Sequence, residues 1–209
     1  MKHNSIDNLK IIKSEVELIN KDTKIIAVSK TFPVETINPL IDFGHTHFGE
    51  NKVQEALEKW TEIKNKNKDI KLHMVGKLQT NKVKFVLPLF DYIHSLDSLK
   101  LAEKISAEQK KKKFKPKIFI QLNLGKEVQK SGIDVEYFPE FYEKCKNDFE
   151  LNIVGLMCLP PFNEDSKPFF LQMKKLTNKF NSNFELSMGM SNDYLSAVEF
   201  SSSYLRIGT

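Results

Sequence analysis

The sequence predicts an α/β fold, a parallel (β/α)8 TIM barrel that forms a single domain over residues 1–209, with an extra helix at the N-terminus. Eight short apolar or β-rich runs alternate with segments of helical periodicity, which is the order expected of a parallel barrel. A chain of 209 residues with 40% hydrophobic content can bury one sizeable core. An open doubly wound sheet is the alternative architecture.

The N-terminal helix is predicted from apolar residues that recur at helical spacing ahead of the first strand, at Ile6, Leu9, Ile12, Val16 and Ile19. The strands that follow are predicted as short runs rich in apolar and β-branched residues. They cover residues 24–30, 45–50, 71–76, 92–97, 117–124, 151–158, 184–189 and 203–208.

The helices between the strands are predicted from their end signals. Pro33 suits the first turn of a helix that Gly44 closes. Thr80 is expected to cap a helix that Pro88 stops. Trp60 lies on the apolar face of another helix, between the second and third strands.

The charge pattern argues against a nucleic-acid partner. The net charge is +5, yet Arg206 is the one strong base that is not a lysine. Proteins that read nucleic acid commonly use arginine forks, so we discount this partner. The lysine-rich run at 108–117 is interpreted as a solvated helix end and loop.

Other features indicate a cytoplasmic protein without a membrane span. Two cysteines do not make a disulfide framework, and no Cys/His cluster has metal-ligand spacing, so no metal site is predicted. No apolar run approaches the roughly 20 residues that a bilayer requires. Asp7 and Glu15 interrupt the N-terminal apolar pattern, which excludes a signal peptide.

Polar residues gather at the predicted carboxyl ends of the strands, where barrel enzymes build their sites. Gly189 and Gly208 lie beside Ser191 and Thr209 after strands seven and eight. These loops form the recurrent phosphate site of this fold, because glycine backbone can approach a ligand closely and hydroxyls can donate to it. The sequence therefore predicts a phosphate site there.

Lys30 ends the first predicted strand and is expected across the barrel mouth from the phosphate. A partly buried amine loses its proton more readily, and its lone pair can then attack a carbonyl. A phosphate site together with an amine that seeks an aldehyde suggests pyridoxal 5′-phosphate. Arg206, two residues before the phosphate loop, can donate to the pyridine nitrogen without giving up a proton, which makes the cofactor a weaker electron sink.

Each of these residues has a simpler interpretation. Lys30 could extend into water like most strand-end lysines, and Asn51 could only cap a helix. Arg206 could be a surface base. His73 alternates with apolar neighbours and is interpreted as a hydrogen-bonded core histidine. The functional interpretation is favoured because the signals fall together at one end of one barrel.

The motifs also resemble a known family. The segments "AVSKT", "FGENKVQE", "HMVGKLQTNK", "SLDS", "KSGI", "GLM", "LSMGMSND" and "RIGT" occur in the order and approximate spacing of the pyridoxal phosphate homeostasis proteins. These are single-domain barrels that resemble the N-terminal domain of bacterial alanine racemase. The resemblance covers nearly the whole chain.

The resemblance implies a role for six positions. It implies that Lys30 is the Schiff-base lysine, that Ser191, Gly208 and Thr209 bind the phosphate, that Arg206 faces the pyridine nitrogen, and that Asn51 lies near the cofactor. It also implies a lysine at the pocket rim, Lys130. Relatives continue past "RIGT" with an apolar segment, so the chain is expected to be a form shortened at its C-terminus.

The resemblance further implies a protein that binds pyridoxal phosphate and buffers or delivers it without robust turnover. The expected partners are this small-molecule cofactor and, transiently, apo-enzymes that depend on it. A monomer is expected because the second domain of the racemases is missing. Two enzymes remain as alternatives: an amino-acid racemase that uses the same cofactor, and a Schiff-base aldolase that acts on a phosphorylated sugar.

Overall fold

The computed structural model describes residues 5–125 and 131–208, in which strands and helices alternate. The strands are β1 (Lys24–Val28), β2 (His47–Glu50), β3 (Lys71–Met74), β4 (Tyr92–Leu96), β5 (Lys117–Leu122), β6 (Ile153–Cys158), β7 (Glu185–Met190) and β8 (Tyr204–Ile207). The α-helices are α1 (Ser5–Ile19), α2 (Val34–Asp42), α3 (Val53–Lys66), α4 (Val83–Val86), α5 (Leu99–Lys112), α6 (Phe138–Glu143), α7 (Lys167–Phe180) and α8 (Tyr194–Glu199).

The eight strands close into a parallel barrel in sequence order. Each strand pairs with the next, and β8 returns to pair with β1 over four residue pairs, including Ile26 with Arg206. The prediction of a (β/α)8 barrel with an additional N-terminal helix is thereby confirmed, and the open sheet is excluded. A closed barrel leaves no unpaired edge strand.

The barrel interior and the layer outside it are two separate apolar clusters. Ile26, Tyr92, Phe119, Met157 and Tyr204 form the cluster inside the barrel, and all five are buried. The larger cluster joins the outer faces of the strands to the helices. Because side chains alternate along a strand, β1, β4, β5, β6 and β8 each supply residues to both clusters.

The helix around α4 differs from its prediction. It begins with a 3-10 turn at Thr80–Lys82, followed by only the short α4. Thr80 lies inside this first turn, and no side chain caps it. Leu87 takes an extended conformation before Pro88, as the residue before a proline prefers, and this ends the helix. At α2, Pro33 lies at the N-cap, just before the first turn rather than within it. Gly44 follows the end of the helix with a φ of +91°, as the sequence predicts.

No helix in the described part of the chain is long and apolar enough to cross a membrane.

Candidate functional site

Arg206 lies on β8 inside the barrel, where it is 5% exposed. Its Nη1 donates to the Ser187 hydroxyl at 2.7 Å, and its Nη2 donates to the Cys158 carbonyl oxygen at 2.9 Å. Burial lowers the pKa of this guanidinium, but an arginine remains charged at neutral pH. The interpretation of Arg206 as a surface base is therefore wrong. It is a fixed, buried cation below the barrel mouth.

Ser191 and Gly208 meet at the carboxyl ends of β7 and β8. The Ser191 hydroxyl donates to the Gly208 carbonyl oxygen at 2.7 Å, and the Gly208 N–H donates back to the hydroxyl at 3.3 Å. The turn before Ser191 requires Gly189, whose φ is +92° and whose added Cβ would lie 2.5 Å from the Ala197 Cβ. Thr209 lies outside the described residues, as does Lys130.

Lys30 differs from its prediction in two respects. The strand ends at Val28, so Lys30 lies in the following turn, and its side chain is exposed rather than partly buried. It is also not across the mouth from the phosphate loop, because β1 and β8 are neighbours in the closed barrel. A Cβ added to Gly208 would lie 3.7 Å from the Val28 Cβ. The structure therefore brings Gly208 next to the end of the strand that carries Lys30.

The backbone on both sides of Lys30 is held by a buried network. The Ser29 hydroxyl donates to Glu50 Oε1 at 2.8 Å, and the Ser29 carbonyl accepts from Lys59 Nζ at 2.8 Å. On the other side, the Thr31 N–H donates to Glu55 Oε1 at 2.5 Å, and Thr31 has a φ of +65°. The turn is fixed while the Lys30 side chain extends from it.

The centre of this network is Glu50, which is fully buried at the end of β2. Its Oε1 accepts from Lys59 Nζ and from Trp60 Nε1, each at 2.9 Å. Lys59 Nζ also lies 3.0 Å from Glu55 Oε1. This support was not among the features predicted from the sequence. The available signal was the spacing of Glu55 and Lys59, four residues apart, with a lysine beside Trp60 on the apolar face of α3.

Asn51 follows β2 at the same end of the barrel. It does not cap α3, because Lys52 is the residue at that position and makes no side-chain cap. Gly76, in the loop after β3, packs against the Asn51 backbone so closely that an added Cβ would lie 2.4 Å from its carbonyl oxygen. The backbone of Asn51 is therefore positioned by a neighbouring loop rather than by its own helix.

A chain of hydrogen bonds connects Arg206 to three histidines inside the barrel. His94 Nδ1 lies 2.8 Å from the Ser187 hydroxyl, His94 Nε2 lies 2.9 Å from His73 Nδ1, and His73 Nε2 lies 2.9 Å from His47 Nδ1. Burial lowers the pKa of His73 and His94 well below the usual value, and lowers that of His47 to about 4. The interpretation of His73 as a hydrogen-bonded core histidine is confirmed.

An apolar groove of about 370 Å³ lies between α1, α2 and the barrel, on the outer side of β1. Ile25 and Ala27 line it, and these residues alternate with Ile26, which points into the barrel. Ser29 and Gly208 also line the groove, so it extends from the outer face of β1 to the end of the barrel where the Ser191–Gly208 junction lies.

Comparison with known proteins identifies the family. The family model for the alanine racemase N-terminal domain matches residues 4–209. The pyridoxal phosphate homeostasis protein of Aquifex aeolicus is 35% identical over 194 residues, which cover 89% of this chain and 84% of that protein. The homeostasis protein of Haemophilus influenzae is 32% identical over 218 residues, covering 97% and 92%.

Solved structures agree with this assignment. PipY of Synechococcus elongatus without pyridoxal phosphate has a TM-score of 0.87 and 31% identity, with 95% of this chain and 96% of that chain covered. PipY with pyridoxal phosphate bound has a TM-score of 0.84. Alanine racemase from Bartonella henselae shares the fold, with a TM-score of 0.72 and 14% identity, but only 55% of that chain is covered. The chain therefore belongs to the alanine racemase N-terminal domain family, among its pyridoxal phosphate homeostasis proteins.

Proposed function

We propose that this protein binds pyridoxal 5′-phosphate as a Schiff base on Lys30 and acts in pyridoxal phosphate homeostasis, by buffering or delivering the cofactor, without robust catalytic turnover. The observation that carries the proposal is the placement of three groups at one barrel mouth: Lys30 after β1, the Ser191–Gly208 junction after β7 and β8, and Arg206 below it. The relationship to PipY, which has a structure with the cofactor bound, supports it.

The residues at the mouth fit the chemical groups of the cofactor. The Ser191 hydroxyl and the Gly208 N–H now bond each other, and both can donate instead to a phosphate. The Arg206 guanidinium, with two of its donors anchored on β6 and β7, keeps further N–H donors for a ring nitrogen. In this proposal Thr209 adds a second hydroxyl to the phosphate, and Asn51 contacts the bound cofactor.

Lys30 provides the covalent attachment. When bound, pyridoxal phosphate supplies an aldehyde and a conjugated ring that withdraws electrons. Lys30 would hold the cofactor through its ε-amine, which can condense with an aldehyde to form a C=N bond as water leaves. Because the side chain is exposed on a fixed turn, the same bond is accessible to amines from solution, which is what release and delivery require.

Weak turnover follows from the environment of the ring nitrogen. A guanidinium does not transfer its proton, so the nitrogen stays unprotonated and the ring withdraws electrons less strongly. In this proposal the protein is a cytoplasmic monomer that passes the cofactor to apo-enzymes by transient contact.

The test is reconstitution with excess pyridoxal phosphate, followed by borohydride reduction and peptide mass spectrometry. We expect a pyridoxyl adduct on the Lys30 peptide and none in Lys30→Ala. Lys77→Ala is the matched control, because Lys77 is an exposed lysine after β3 at the same end of the barrel. An adduct spread over many lysines, or none at all, would contradict the proposal.

Two further measurements separate the proposal from the enzymes that share this chemistry. Rapid exchange of the Cα proton of alanine or serine in deuterated water would indicate a racemase. Reductive trapping of dihydroxyacetone phosphate on Lys30 in preference to pyridoxal phosphate would indicate an aldolase. We expect neither.

A further inference from the structure

We propose that Ser187, His94, His73 and His47 are positioning residues that hold the Arg206 guanidinium through a one-way chain of hydrogen bonds, with the ring hydrogen of each imidazole on Nε2. The direction of the hydrogen-bond chain follows from the protein's own donors and acceptors and does not depend on a bound cofactor. Its use, to aim Arg206 at a cofactor nitrogen, rests on the proposed function.

The direction starts at Arg206, whose nitrogens donate and never accept. Arg206 Nη1 donates to the Ser187 hydroxyl oxygen. Ser187 is fully buried, and the hydrogen-bond partners of its hydroxyl among the described residues are Arg206 and His94. Its own hydrogen must therefore go to His94 Nδ1, because the opposite arrangement would leave a buried hydroxyl hydrogen without an acceptor.

The remaining hydrogens follow one after another. A neutral imidazole has one N–H and one acceptor nitrogen. With His94 Nδ1 accepting, its Nε2–H donates to His73 Nδ1, and the His73 Nε2–H then donates to His47 Nδ1. From Arg206 to His47 Nδ1, each donor in the chain therefore has an acceptor. The chain ends at His47, which is the half-buried first residue of β2 and whose Nε2–H is the last donor.

Ring packing holds the same arrangement. His73 stacks on Tyr92 with ring centroids 4.2 Å apart, and His94 stacks on Phe119 at 4.4 Å. These contacts fix the ring planes, so both nitrogens of each ring point along the chain. Burial keeps the rings neutral, since it lowers the pKa of all three histidines.

A one-way chain positions a group but does not relay protons to it. A relay reverses every bond in turn, and here the last member would have to accept a proton or release one. Arg206 does neither at physiological pH. The chain crosses the barrel interior from β4 to β7 and anchors the guanidinium through Ser187, while the Cys158 carbonyl anchors it from β6.

The first test needs no variant and no cofactor. Long-range ¹H–¹⁵N NMR spectra of histidine-labelled protein at pH 7 distinguish the two tautomers, and contacts to Tyr92 and Phe119 assign two of the rings. We expect Nε2–H on His47, His73 and His94. An Nδ1–H tautomer or a doubly protonated ring among the three would overturn the proposal.

The second test compares Ser187→Ala with Ser95→Ala. The Ser95 hydroxyl is also buried in a barrel strand but has no hydrogen-bond partner among the residues that the structure describes. We expect Ser187→Ala to remove the preference of His94 for the Nε2–H tautomer. We also expect it to weaken pyridoxal phosphate binding about tenfold, as the loss of one hydrogen bond to a charged group predicts. Ser95→Ala should change neither.

The outcomes separate the two proposals. Unchanged cofactor affinity and absorption spectrum in Ser187→Ala would overturn the positioning role. Failure of the wild-type protein to bind pyridoxal phosphate, with the Nε2–H tautomers in place, would overturn the proposed function and leave the direction of the chain supported.

Discussion

Lowering the pH from 7 to 4 should destabilise this protein through its buried histidines. The pKa of His47 falls from 6.5 to about 4 in the folded protein. Between these values the unfolded chain binds a proton that the folded chain does not, so the free energy of unfolding decreases as the pH falls through this window. At about 1.36 kcal/mol per pH unit, the loss from His47 alone reaches roughly 3 kcal/mol at pH 4.

His73 and His94 add losses of the same sign, because burial lowers their pKa values as well. Burial is also the main cause of the lowered pKa of His47, and neighbouring charges shift this pKa further. The groups that face or influence it are His45, His73, Lys24, Lys71, Asp91, Tyr92 and Tyr204. Lys24 and Lys71 lower its pKa and Asp91 raises it, so the net effect remains a neutral ring.

The assay is urea unfolding at several pH values, followed by the fluorescence of Trp60, the single tryptophan, which is fully buried. His47→Asn is the matched variant, because its amide oxygen can still accept from His73. Between pH 6 and 5 the wild-type stability should fall more steeply than that of the variant, by up to about 1.4 kcal/mol per pH unit. Equal slopes for the two proteins would refute the reasoning.

Three further predictions concern the supports of the site. Glu50→Gln should destabilise the fold by about 3 kcal/mol in urea titrations, because it leaves the buried ammonium of Lys59 poorly paired; a change under about 0.5 kcal/mol would contradict this. Gly189→Ala should cost more than about 1 kcal/mol of stability, from its φ of +92° and the clash with Ala197, and an unchanged thermal midpoint would be inconsistent with that geometry. Burial raises the pKa of the Cys158 thiol to about 12, so Ellman's reagent should react with it only in denaturant, and rapid labelling of the native protein would argue against the burial.

The sequence predicts the barrel well because its signal is periodic. Each strand is a short apolar run, and the predicted run at 92–97 differs from β4 by one residue. The meeting of Ser191 and Gly208 could also be predicted, since they follow strands that lie side by side in a closed barrel, and the two residues do contact each other. Phosphate binding at this junction stays a prediction.

The environment of Lys30 could not be predicted in the same way. Its burial depends on where the strand stops, and β1 stops two residues earlier than the apolar run suggests. The sequence does not indicate the network of Glu50 and Lys59, because it joins the end of a strand to the face of a helix. The bond between His94 and Ser187 joins strands on different sides of the barrel, and no local spacing in the sequence encodes it.

The pairing of the first strand with the last has a consequence for when the protein can first hold a ligand. Lys30 follows β1, whereas Ser191 and Arg206 belong to the last two strands to be synthesised. A nascent chain in which β7 and β8 have not yet folded cannot close the ring of strands, so it presents Lys30 without Ser191 and Arg206. Only a chain with all eight strands in place brings these three residues together. A ligand attached at both places would tie the two ends of the chain together, and its binding free energy would oppose opening of the whole barrel.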